Sequence, residues 1–154
     1  MKKQKGFSLI ELLIVVAIIL IIAAIAIPNL IKSKMAANEA SAVGSVRTIN
    51  TGEVNYAATC PGIGYSTKLS DLNAGGCAAA TGIIDAVLAG GAKSGYVFVE
   101  TGVAGADLLN DTYTTTATPA VPGTSGQRRF FSDQSGVIRY GLTGPATVAS
   151  SPLQ

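Results

Sequence analysis

The sequence predicts an α+β fold in which a long N-terminal spine helix packs on a C-terminal antiparallel sheet of about four strands. Three observations predict it. An uncharged apolar run extends from Leu12 to Ile31, and a helical apolar pattern continues from there to about Ala58. Beyond a Gly/Ala/Ser-rich stretch, short β-branched and aromatic runs alternate with turn residues.

The chain opens on a short basic leader, Met1-Lys2-Lys3-Gln4-Lys5-Gly6, followed by Phe7-Ser8-Leu9-Ile10-Glu11. From Leu12 to Ile31 the only clearly polar side chain is Asn29. At about 1.5 Å rise per residue this run spans roughly 30 Å, the thickness of a bilayer core. Apolar residues cover every helical face, so the run reads as a span and not as a surface helix. Glu11 is the misfit. An unpaired carboxylate in hydrocarbon costs about 2.5–3.5 kcal/mol on insertion scales and marks a functional position in need of a partner. Pro28 removes one helical hydrogen bond and crowds the preceding turn, which predicts a kink there.

After the kink, Met35, Ala42, Val46, Ile49 and Tyr56 recur at intervals of three, four or seven, while Lys32, Lys34, Asn38, Glu39, Arg47 and Glu53 are assigned to the remaining surface. Gly44 and Gly52 weaken this half by about 1 kcal/mol each relative to Ala. Cys60-Pro61-Gly62 ends it. A Gly/Ala/Ser-rich connector to Gly95 holds one short helical candidate, Ile83 to Leu88. Strand composition then marks Tyr96 to Glu100, Thr112 to Thr116, Arg128 to Phe131 and Val137 to Tyr140. Ser132 to Gly136 forms a hairpin loop between the last two.

Composition narrows the function. The 154 residues suffice for one modest domain beyond the span. Three of the 11 basic side chains lie in the leader, which leaves eight against nine acidic ones. That balance is no footprint for nucleic acid, and Arg128-Arg129 reads as a solvated strand edge. The chain has no histidine, and it shows no nucleophile elbow, P-loop or His-Glu-x-x-His pattern. Two cysteines cannot build a Cys₄ zinc site. No catalytic residue, cofactor or metal ligand is assigned, and the chain is not expected to be an enzyme.

The string Gly6-Phe7-Ser8-Leu9-Ile10-Glu11-Leu12-Leu13, with Pro28 after the apolar run, resembles the N-terminus of type IV prepilins and of the similar pseudopilins. The resemblance implies cleavage between Gly6 and Phe7 by a membrane-embedded prepilin peptidase and N-methylation of the Phe7 amine. It implies an inner-membrane, single-pass precursor with a cytoplasmic N-terminus, held in lipid until inner-membrane machinery assembles it. The product would be a homo-oligomeric helical filament at the cell surface, with Glu11 and Phe7 meeting between subunits. On this reading residues 1–6 are leader, 7–31 transmembrane and filament-core helix, 32–58 the amphipathic half, and 59–154 the connector and sheet. A secretory signal peptide has a shorter apolar core, and a plain signal anchor explains the lysines but neither Glu11 nor the Gly-aromatic step. Two rivals share part of this pattern: a major pseudopilin of type II secretion, and a non-assembling, membrane-anchored periplasmic binding module.

If the globular part lies outside the inner membrane, Cys60 and Cys77 meet an oxidising compartment and a disulfide is the default over two unpaired thiols. Closing that loop stabilises by about 3 kcal/mol in the chain-entropy model. Many type IVa pilins fasten a C-terminal loop with a disulfide, whereas this pair staples the connector. Asp107, Asn110 and Asp111 suggest calcium, as in major pseudopilins, but lack EF-hand spacing and read better as a turn. Thr112 to Ser125 could carry O-glycans, although an ordinary strand and loop explains the same residues. Tyr65, Tyr96, Phe98, Tyr113, Phe130, Phe131 and Tyr140 are assigned to the sheet–helix core and not to a stacked conducting path.

Overall fold

The computed structural model describes residues 6–106 and 109–153. It divides into two compact units, one ending at Lys34 and the other starting at Met35. Helix α1 (Leu9–Thr59) contributes to both, and its helical assignment runs unbroken through Pro28. Lys2, Lys3, Lys5 and Asp107 lie outside the described residues.

In the first unit the apolar side chains are open to their surroundings, from Phe7 at 80% exposure to Leu30 at 69%. Asn29 and Ser33 are satisfied on the helix itself. Asn29 Nδ2 donates to Ile25 O at 3.1 Å, and Ser33 Oγ donates to Asn29 O at 3.0 Å. A segment that meets its own hydrogen-bond needs is suited to hydrocarbon.

In the second unit α1 buries Ala42, Val46, Ile49 and Tyr56, as its apolar spacing predicts. Glu39 and Glu53 correct the expectation that charges line the solvent side: they are 8% and 0% exposed. Residues 39, 42, 46, 49, 53 and 56 follow a three–four spacing, so both carboxylates belong to the buried stripe by position whatever their chemistry. Gly52 also has a packing role: a Cβ there would lie 3.1 Å from Ile83 Cγ2.

The connector is part of the core. The Cys60–Cys77 disulfide is formed, a 3₁₀ turn spans Leu69–Leu72, and Leu69, Leu72, Ala80 and Ile84 are buried with the helix face. Helix α2 is shorter than the apolar run suggests, Ala86–Ala89, because Asp85 caps it by accepting from Leu88 N–H at 3.0 Å. Ile83 and Ile84 precede the cap and turn into the core.

Among the described residues the sheet has six antiparallel strands in sequential order: β1 (Ala92–Lys93), β2 (Tyr96–Ala104), β3 (Asn110–Pro119), β4 (Arg129–Asp133), β5 (Arg139–Gly141) and β6 (Ser151–Pro152). The two strands beyond the expected four are two-residue edges, too short to carry any alternation. β2 and β3 also run longer than their composition cores, and a register shift at Val103/Ala104 ends their regular pairing. Asn110, weighed with its acidic neighbours as a turn, opens β3. It donates from its N–H to Ile63 O at 2.8 Å and accepts from Tyr65 N–H at 2.9 Å.

Strand register sorts the inner face into rows. Phe98, Ala117, Phe130 and Tyr140 lie opposite one another on β2 to β5 and form an apolar row. Two residues along, Glu100, Thr115 and Ser132 form a polar one. The polar row lies near the segment Tyr65–Lys68, whose Ser66 crosses Gly102 so closely that a Cβ would lie 2.3 Å from Ser66 O. Gly102→Ala is therefore expected to destabilise the second unit by about 1–3 kcal/mol through a backbone clash. Gly44→Ala, with nothing within 4 Å of the added Cβ, should stabilise it by about 1 kcal/mol. Thermal unfolding of the detergent-solubilised chain checks both signs.

Candidate functional site

The first unit presents the N-terminal site at its start. Gly6 and Phe7 precede the helix and are exposed, and a Cβ on Gly6 would meet nothing within 4 Å. The helix then begins on Ser8-Leu9-Ile10-Glu11, where Glu11 Oε2 accepts the backbone N–H of Ser8 at 2.9 Å. That is the return half of a capping box, in which a Glu three residues past the cap satisfies an otherwise free donor. The Ser-x-x-Glu spacing is legible in the sequence, and reading Glu11 only as a misfit in the span overlooks it. One carboxylate oxygen is thus held at the helix start, beside the chain end that cleavage after Gly6 would create. No acidic or basic side chain follows Glu11 within the unit until Lys32.

The remainder of this segment is a continuous apolar surface, none of which is buried within the chain. Ile, Leu and Val side chains from Leu12 to Ile31 stand 40–69% exposed. Such a surface is stable only in lipid or against other apolar helices.

The second unit fixes its half of α1 by polar latches. Asn38 Nδ2 donates to Ser125 O at 2.8 Å, and Asn50 Nδ2 donates to Ser132 Oγ at 2.8 Å. Between them, Glu39 accepts from Gln127 N–H at 2.9 Å, Arg128 N–H at 3.1 Å and Arg128 Nε at 2.6 Å. Arg128 is therefore an anchored ion-pair partner and not a free strand edge, and its guanidinium lies 5.9 Å and 5.8 Å from the ring centres of Phe130 and Tyr140. Burial pushes the Glu39 pKa up, but the donors from Gln127 and Arg128 outweigh it and hold the group below its ordinary value. This clamp is hard to foresee, because nothing local pairs residues 39 and 128. Among the described residues no three His, Cys, Asp or Glu side chains group as metal ligands.

Comparison with known proteins bears on the N-terminal site. Residues 1–27 match the family model described as the prokaryotic N-terminal methylation motif. Over 39 residues the chain is 59% identical to the type IV wide pilus major component PilA4 of Thermus thermophilus, a match covering 25% of this chain and 30% of that protein. Over 54 residues it is 44% identical to the type IV major pilin protein PilA of Myxococcus xanthus, covering 35% of this chain and 24% of that one. The chain thus spans less than a third of the length of each of these relatives. No solved structure matches. In its N-terminal part the chain carries the prokaryotic N-terminal methylation motif and is similar to type IV pilins.

Proposed function

We propose that the protein is a structural, non-catalytic subunit of a type IV pilus. The observation that carries this reading is the methylation motif on residues 1–27, joined to a helical segment with no apolar face buried in its own chain. The precursor sits in the inner membrane with its leader in the cytoplasm. Prepilin peptidase removes residues 1–6 and the new Phe7 amine is methylated. The glycine suits a narrow cleavage site because it has no Cβ to collide. Mature subunits leave the lipid and pack by residues 7–31 in the filament core, with the helix bending at Pro28. Residues 32–58 tie this core to the sheet.

Glu11 sets the register of assembly. Its carboxylate meets the cationic N-methylated Phe7 amine of a neighbouring subunit within the apolar bundle. A mismatched register leaves two charges buried and unpaired, so the pair selects register more than it adds net cohesion. Apolar helix packing supplies the cohesion. A pseudopilin would share this chemistry, and an anchored binding module would not.

Intact-mass measurement on sheared surface filaments tests the processing. The expected species lacks Met1 through Gly6 and carries one added methyl. Filaments built from chains that retain Met1–Gly6 would refute it. Electron microscopy of the same material tests the assembly: long filaments of this chain mean a pilus, and a secretion defect without filaments means a pseudopilin.

A further inference from the structure

The polar row of the inner face contains an arrangement that two ionised carboxylates cannot satisfy. Ser66 Oγ lies 2.6 Å from Glu53 Oε1 and 3.3 Å from Lys68 O, and it also contacts Glu100 Oε1. A hydroxyl has one proton to give and here faces three acceptors. Glu53 Oε2 meanwhile accepts Ser66 N–H at 2.9 Å, which suits an ionised Glu53. The missing proton therefore belongs on Glu100. There it can donate to Ser66 Oγ, while the Ser66 hydroxyl donates to Glu53. Glu100 is 6% exposed, and its Oε2 is buried without a hydrogen-bond partner. An anionic oxygen in that position would be desolvated and unpaired, whereas a neutral acid tolerates it.

We propose that Glu53 and Glu100 bind a single proton between them, carried on Glu100, and that this proton locks the helix, the Ser66 segment and β2 together. The groups facing the pair do not supply the alternative of a buried cation. From α1 come Glu53 and Tyr56, and from the connector Ser66, Asp71 and Lys68. From β3 come Tyr113 and Thr115, and from β4 Ser132, while Asp133 acts on Tyr113. The lysine is turned outward with its side chain 68% exposed, and its Nζ is 3.9 Å from Asp71 Oδ1. Burial, then the hydrogen bond and charge of Glu53, push the Glu100 pKa well above the usual carboxylate range.

The sign follows from linkage. The folded chain keeps a proton that the unfolded chain loses above the ordinary glutamate value of 4.5. Stability contributed by the pair is complete below that value and drains away as pH rises toward the raised folded value. With one proton involved, the folding constant falls about tenfold per pH unit across that window. The chain has no histidine, so the usual titrating group of this range does not mask the effect. The globular unit becomes more stable on mild acidification, and alkaline conditions loosen the Ser66 segment from the helix.

The test follows unfolding of the detergent-solubilised full chain by tyrosine circular dichroism from pH 5 to pH 8. The unmodified chain should lose about tenfold in folding constant per pH unit, and Glu100→Gln, which is neutral throughout, should lose the slope. A flat profile in the unmodified chain, or an equal slope in the variant, would overturn the proposal. Should Glu100→Gln not fold, infrared spectroscopy decides. A Glu11→Gln chain grown with carboxyl-labelled glutamate should keep one protonated-carboxyl band at pH 7. Absence of that band would equally overturn it.

Discussion

Glu11→Ala is expected to abolish surface filaments while leaving the membrane pool of the chain unchanged or larger. The substitution removes an anion from an otherwise uncharged span, so insertion improves or holds. Assembly then buries the methylated Phe7 ammonium of an incoming subunit with no partner, at a cost of roughly 3–5 kcal/mol for a broken buried pair. The alanine variant alone leaves an ambiguity, because Glu11 Oε2 also accepts the Ser8 N–H at 2.9 Å. Losing that cap frays the helix start by about 1 kcal/mol. Glu11→Gln separates the two roles. A glutamine at the third helical position still completes a capping box, keeps the size of the side chain and carries no charge. Filament loss in both variants locates the effect in charge pairing. Normal filaments from the glutamine variant, with loss only in the alanine variant, would assign Glu11 to helix capping. Normal filaments from both would show that this position does not govern assembly. Quantifying the chain in sheared surface material against the membrane fraction reads all three outcomes.

What was legible in the sequence was whatever a single element declares by itself. The apolar run from Leu12 to Ile31, the stripe Ala42–Val46–Ile49–Tyr56 and the strand at Tyr96 each carry their own local signal, and the structure has a helix over the first two and a strand at the third. The Ser8–Glu11 contact was equally local and could have been read from its spacing. What was not legible depends on partners distant in sequence. Glu39 and Glu53 carry charges, and composition alone sends charges to the surface. They are buried because Arg128 lies 89 residues from one and Ser66 lies 13 from the other. The edge strands β1 and β6 exist only because β2 and β5 offer them backbone partners. The connector is rich in Gly and Ala, yet Leu69, Leu72, Ile84 and Leu88 within it are buried in the core. Apolar residues that are sparse along the chain give no period, although they suffice to fix a loop once a helix face is present to receive them.

Glu39→Ala is expected to destabilise the globular unit by about 2–3 kcal/mol at neutral pH. The carboxylate accepts three hydrogen bonds, two of them from consecutive backbone N–H groups at Gln127 and Arg128. Alanine leaves those donors facing a buried helix and strands the Arg128 guanidinium. The loss stays below that of a fully enclosed pair because the Arg128 side chain is 39% exposed, so water can recover part of its hydration. The rings of Phe130 and Tyr140 at 5.9 Å and 5.8 Å also continue to attract the cation. Acid separates this clamp from ordinary packing. The folded Glu39 pKa lies below its ordinary value of 4.5, so its contribution is complete above that pH and is lost as pH falls through the folded value. The gap between the unmodified chain and Glu39→Ala should therefore narrow from pH 7 to pH 3 in chemical denaturation of the solubilised full chain. The Glu53–Glu100 pair does not interfere, since both chains carry it and its own pH dependence cancels in the gap between them. A gap of equal size at both pH values would mean that Glu39 acts by filling space, and that the hydrogen-bonded charge at the start of the buried stripe contributes nothing to holding the 125–128 loop on the helix.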